Sequence, residues 1–153
     1  MNLTEKVIKE QFPFWQKALD TALPEISDKS VIVTGCGTSF YLAQAIATAF
    51  NRNGRNAIAV PGAEWARRMD QYLADRKDTV VLGLSRSGTT TETVQAIEAS
   101  KKAGLKTIAI SCEPDTTLLK IADTAVYLPT HEEEGIVMNH NMLCALVLVL
   151  LGG

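Results

Sequence analysis

Five short apolar runs, at residues 30–34, 57–60, 79–84, 107–111 and 124–128, are separated by stretches whose apolar residues follow helical spacing. Strands that alternate with helices call for a sheet covered by helices on both faces. The pattern therefore predicts a three-layer α/β/α sandwich. Helices are expected at residues 3–22, 38–52, 63–74, 90–103 and 136–151, with a short turn at 116–122, and Gly54 and Gly104 stand where helix C-caps belong.

Length and composition fit one compact unit. With 153 residues, 46% of them hydrophobic, the chain can bury a core, read here as a helical extension (1–25) on an α/β core (26–153) of a single domain. A net charge of −2 supplies no basic field, which argues against nucleic acid as a partner. Cys36, Cys112 and Cys144 are widely spaced and form no C-x-x-C pair, as expected of reduced thiols in the cytoplasm. Residues 1–23 are charged, unlike a signal peptide, and the apolar run 142–151 is too short to cross a bilayer.

Chemistry concentrates in residues 82–93, Leu-Gly-Leu-Ser-Arg-Ser-Gly-Thr-Thr-Thr-Glu-Thr. A strand end, a hydroxyl-rich turn and a helix start follow one another there. The free N–H groups and positive dipole end of the helix attract an anion, and Ser85, Ser87, Thr89 and Thr90 add hydroxyl donors. The competing account is a plain capping box, since Thr89 and Glu92 have its spacing. A second strand-turn-helix, Gly35-Cys36-Gly37-Thr38-Ser39, follows the run 31–34. In an open parallel sheet both turns can face one ligand.

Three familiar alternatives fail on single residues. A dinucleotide fingerprint needs glycine where Phe40 stands, a P-loop needs a lysine that neither turn has, and a nucleophile elbow needs glycine at Ser87. His140 and Cys144, four apart, could be joined by His131 in a metal site, but packing accounts for them and no metal is expected.

The two turns resemble the sugar-phosphate loops of the SIS (sugar isomerase) domain family: Gly35-Cys36-Gly37-Thr38-Ser39 the first, and Ser85-Arg86-Ser87-Gly88-Thr89-Thr90 its Ser-x-Ser-Gly-x-Thr loop. Residues 3–19 are similar to the helix that opens the isomerase part of glucosamine-6-phosphate synthase and of tagatose-phosphate isomerase/deaminase-like proteins. Glu133-Glu134-Gly135-Ile136-Val137-Met138 resembles the E-x-x-V-x-x segment that opens the last helix of a first SIS domain. The resemblance implies a flavodoxin-like fold with a five-stranded parallel sheet. It also implies a phosphate site formed by Gly37, Thr38, Ser39, Ser85, Arg86, Ser87, Gly88 and Thr90, with no cofactor.

Activity is less determined. Aldose–ketose interconversion needs a base near C1 and C2. Glu133 and Glu64 are the candidates, while Glu132 and Glu134, like Glu133, also suit a solvated helix start, and His131 and His140 are further options. In glucosamine-6-phosphate synthase, which these motifs resemble, the catalytic glutamate lies in the second SIS domain, in an E-L-K-H-G-P-like segment that this sequence lacks. Arg86 replaces the glutamine of glucosamine-6-phosphate synthase, Thr89 stands where an acid is common, and Asn139-His140-Asn141 replaces a Thr-Lys/Arg-x stretch. Two functions stay open: a phosphosugar isomerase or aminosugar-phosphate isomerase/deaminase, incomplete without a second SIS domain, and a non-catalytic phosphosugar-binding or sensing module. The stretch 136–151 has no polar face after Asn141, so a homodimer through this helix is expected.

Overall fold

Five parallel strands form one sheet in the order β2-β1-β3-β4-β5. They are β1 (Ser30–Gly35), β2 (Asn56–Pro61), β3 (Thr79–Ser85), β4 (Lys106–Ser111) and β5 (Thr124–Tyr127), each within one residue of its expected bounds. The structure is a computed structural model that describes residues 2–27, 30–73 and 78–130. The expected helix at 136–151, and with it the dimer surface, Glu133, His131, His140 and Cys144, lies outside the described residues.

Every residue of β3 is buried, as a central parallel strand requires when helices cover both faces. On one face Val31 and Val33 of β1 and Leu82 and Leu84 of β3 pack with Ala43, Ile46, Ala47 and Phe50 of α3 (Thr38–Arg52). On the other, Ile32 and Val81 pack with Trp65 of α4 (Gly62–Arg68), Ala96 and Ile97 of α5 (Thr91–Lys102) and Leu118 of α6 (Thr117–Ile121). The three-layer, five-stranded parallel fold is therefore as expected. Gly54 and Gly104 follow α3 and α5 in the cap positions foreseen for them.

Two expected helices differ. The single helix over 3–22 is in fact α1 (Leu3–Lys9) and α2 (Phe12–Leu19). Pro13 stands in the first turn of α2, where its missing N–H is harmless, whereas in a continuous helix it would remove a bond and clash with the preceding turn. The helix expected over 63–74 leaves α geometry after Arg68 and tightens into a 3-10 turn at Met69–Gln71. No described helix is long and apolar enough to cross a membrane.

Buried Trp65 ties α4 to α5 by donating its indole N–H to Ser100 Oγ at 2.8 Å, and Ser100 donates in turn to Ala96 O at 2.7 Å. At Gly62 a Cβ would lie 3.0 Å from the Glu92 carbonyl, so the helix starts approach as only glycine permits. This packing fixes where α5 begins.

Candidate functional site

The chain leaves β1 toward one face of the sheet and β3, its neighbour, toward the other. A crevice opens at the carboxyl ends of such a strand pair. Gly35 is in register with Leu84, so the turns after β1 and β3 rise side by side.

The first turn is shaped by its glycines. At Gly35 a Cβ would come within 2.9 Å of the Ser39 carbonyl, so glycine there lets α3 start hard against the strand end. Gly37 caps α3 with φ 56° and ψ −127°, a backbone that side chains disfavour, and the side where a Cβ would stand is open. Cys36, Gly37 and Thr38 are exposed, and Ser39 is buried, with its N–H donated to Cys36 O at 3.2 Å.

The second turn is organised around Ser85, the last residue of β3. Its buried Oγ accepts the Gly88 N–H at 3.0 Å and shares a hydrogen bond with Thr90 Oγ1 at 3.0 Å. Ser87 Oγ accepts from the Thr89 N–H at 3.3 Å and from its hydroxyl at 3.1 Å, which leaves the Ser87 proton to donate elsewhere. The capping box expected as the alternative does not form. Thr90, not Thr89, caps α5, and it makes no side-chain cap bond because its hydroxyl turns to Ser85. The first N–H groups of any helix, α5 included, have no intrahelical partners, which suits a helix start to an anion.

A third segment, absent from the sequence reading, holds this turn. Arg86 O accepts the Cys112 N–H at 3.0 Å and the Ser111 hydroxyl at 3.2 Å, and Gly88 O accepts the Leu118 N–H at 3.0 Å. Gly88 has φ 62°, and a Cβ on it would stand 2.2 Å from Thr116 Oγ1. Glu113 faces Arg86, with Oε1 3.9 Å from Nη1. The available signal was that β4 ends in a serine, as β3 does, ahead of a threonine at a helix start.

Of the acid candidates, Glu64 is in the first turn of α4, where Oε1 pairs with Arg68 Nη1 at 3.3 Å and accepts the Tyr72 hydroxyl at 3.3 Å. Burial first, and then the Glu64 charge, raises the Tyr72 pKa, so the phenol stays a donor. Glu133 lies outside the described residues. Among the described residues no three His, Cys, Asp or Glu side chains cluster as metal ligands would.

The SIS domain family model matches residues 26–151, and the chain belongs to that family. It is 34% identical over 109 residues to the glutamine-fructose-6-phosphate aminotransferase (isomerizing) of Corynebacterium glutamicum, covering 71% of this chain and 17% of that protein. The Pyrobaculum aerophilum enzyme of the same name is 28% identical over 111 residues, 72% of this chain and 18% of that one. The chain thus spans less than a fifth of these curated relatives. Among solved structures, glucosamine-6-phosphate deaminase from Thermotoga maritima superposes with TM-score 0.76 at 27% identity, over 97% of this chain and 47% of that one. The C-terminal domain of the Francisella tularensis glucosamine-fructose-6-phosphate aminotransferase shares the fold at TM-score 0.83 and 20% identity, over 97% and 45%. So does the sugar isomerase domain of an RpiR transcription factor from Sphaerobacter thermophilus, at TM-score 0.78 and 19% identity, over 98% and 88%.

Proposed function

We propose that the crevice between residues 36–39 and 85–90 binds the phosphate of a phosphorylated sugar. The supporting observation is the side-by-side placement, at the β1/β3 strand ends, of two hydroxyl-bearing turns that each open a helix. Thr38, Ser39, Ser87 and Thr90 supply hydroxyls, Gly37 leaves the first turn open toward the anion, Gly88 lets the second turn seat against Thr116, Ser85 aims Thr90, and Arg86 adds a cation. Sugar phosphates named for the relatives, fructose 6-phosphate and glucosamine 6-phosphate, are the first ligands to try.

The same reading makes the chain part of an isomerase-type enzyme acting on a ketose or aminosugar phosphate, with Glu64 or Glu133 as proton carrier. A binding or sensing module is the second reading. Two observations favour it: the Glu64 carboxylate is engaged by Arg68 and Tyr72, and the fold recurs in a transcription factor's sugar isomerase domain. The cytoplasm, where phosphorylated sugars are retained, and a homodimer covering the apolar sequence 142–151 complete the proposal.

Calorimetry with fructose 6-phosphate, glucosamine 6-phosphate and unphosphorylated fructose tests the site, and proton exchange at C2 of fructose 6-phosphate in deuterium oxide tests the chemistry. Binding with exchange supports the enzyme, and binding without exchange supports the module. Equal affinity for fructose and fructose 6-phosphate would overturn the phosphate site.

A further inference from the structure

Arg86 sits within the second turn, between Ser85 and Ser87, yet its guanidinium meets a carboxylate: Nη1 is 3.9 Å from Glu113 Oε1. Glu113 belongs to the segment after β4 whose Ser111 and Cys112 also hold the Arg86 carbonyl. Backbone and side chain of Arg86 are thus both engaged from the β4 side. Ser111 in turn accepts the Glu113 N–H at 3.2 Å, which places the acid at the mouth of the turn. Tyr127, in register with Ser111, completes this corner. Burial, and then the Glu113 charge, raises the pKa of its hydroxyl, so it brings no competing charge.

The pair is loose. Its side chains are 28% and 49% exposed, and 3.9 Å is too long for a bidentate fork. A phosphate monoester carries about −1.5 to −2 charges against one on the carboxylate, and Coulomb attraction scales with that charge. A dianion in the crevice therefore competes with Glu113 for Arg86 more strongly than a monoanion does. We propose that Glu113 is a positioning residue that competes with the bound anion for Arg86 and so sets the affinity threshold of the turn. This rests on the phosphate-site reading above.

The test is calorimetry on the full 153-residue chain with fructose 6-phosphate and, separately, inorganic phosphate. Glu113→Gln should tighten fructose 6-phosphate binding by about two- to fivefold, the range that a partly exposed pair allows. A damaged turn would weaken binding, so tightening separates competition from structural support. Arg86→Gln should weaken binding, and Glu113→Gln added to it should have no effect. Arg86→Lys keeps the charge, and in that background the tightening should return. No tightening in Glu113→Gln overturns the proposal, and so does tightening that persists in the Arg86→Gln background, which would mean direct repulsion by Glu113. A wild-type chain that binds neither probe overturns the phosphate site and this proposal together, a result distinct from binding that ignores Glu113.

Discussion

The hydroxyls of Ser85 and Thr90 stand 3.0 Å apart and join the end of β3 to the cap of α5. The bond spans the whole turn, and Ser85 also accepts the Gly88 N–H within it. One buried oxygen therefore sets the shape of the turn that carries Arg86 and Ser87. Ser85→Ala removes both bonds. We expect a loss of about 1–2 kcal/mol of stability in urea unfolding together with weaker sugar-phosphate binding.

Ser87 and Thr90 carry two of the hydroxyls proposed to meet the anion, and Thr90 also shares the bond to Ser85. Ser87→Ala with Thr90→Val takes away two hydroxyls proposed to face a charged group, each contact worth ~1.5–3 kcal/mol. Fructose 6-phosphate affinity should fall by at least about tenfold, measured by calorimetry. Unchanged affinity would remove these residues from the site.

Gly88 is held to glycine twice, by its φ of 62° and by Thr116 Oγ1, which lies 2.2 Å from where a Cβ would stand. Gly88→Ala should cost about 2–5 kcal/mol, from left-handed backbone strain and overpacking together. Thr116→Gly added to it should restore the packing share, less a few tenths of a kcal/mol for the α6 cap bond that Thr116 Oγ1 accepts from the Leu119 N–H at 3.4 Å. Thermal unfolding of the two variants checks this, and equal melting points for the single and double variants would refute the packing argument.

The Trp65 indole N–H donates to Ser100 Oγ at 2.8 Å in a buried setting. Trp65→Phe gives up that bond and leaves space beside Ser100. A loss of about 1–3 kcal/mol is expected in denaturant unfolding. Sugar-phosphate affinity should drop less than with Ser87→Ala and Thr90→Val, because α4 only supports the start of α5.

Asp123 predicts an acid limb. Its Oδ1 lies 2.9 Å from Lys101 Nζ, and Oδ2 accepts from the Thr107 N–H at 2.9 Å and hydroxyl at 2.8 Å. The Lys101 bond foremost, opposed by partial burial and helped by Thr107, lowers its pKa below the ordinary 3.8. A carboxylate with a depressed folded pKa stabilises above its unfolded pKa, and that contribution disappears as pH falls through the folded value. With the side chain 48% exposed, screening keeps the loss on Asp123→Asn at pH 7 to about 1–2 kcal/mol. Variant and wild-type stabilities should converge below about pH 4, read from urea midpoints across pH. A constant difference down to pH 2 would contradict the linkage.

What sequence alone determined is what local patterning encodes. Five strands were readable because buried parallel strands are short apolar runs, and α3 because its apolar residues repeat with helical spacing from Thr38 to Arg52. The two hydroxyl-rich turns were visible for the same reason, since each lies between a strand run and a helix start. Pro13 was also there to be read, but the apolar spacing on both sides of it continued in phase, and the break into α1 and α2 was missed. Only tertiary structure decided the rest. The order β2-β1-β3-β4-β5 sets the two turns side by side, and strand order follows from crossovers between distant segments. Thr89 and Glu92 satisfied a local capping rule that lost to a bond across the turn between Thr90 and Ser85. Ser111, Glu113 and Thr116 lie 25 or more residues beyond Arg86, and they reach its turn because β4 pairs in parallel with β3 and both strands end on the same rim. Hydrogen bonds and ion pairs of that range leave no periodicity in the chain, because their partners become neighbours only when the sheet has formed.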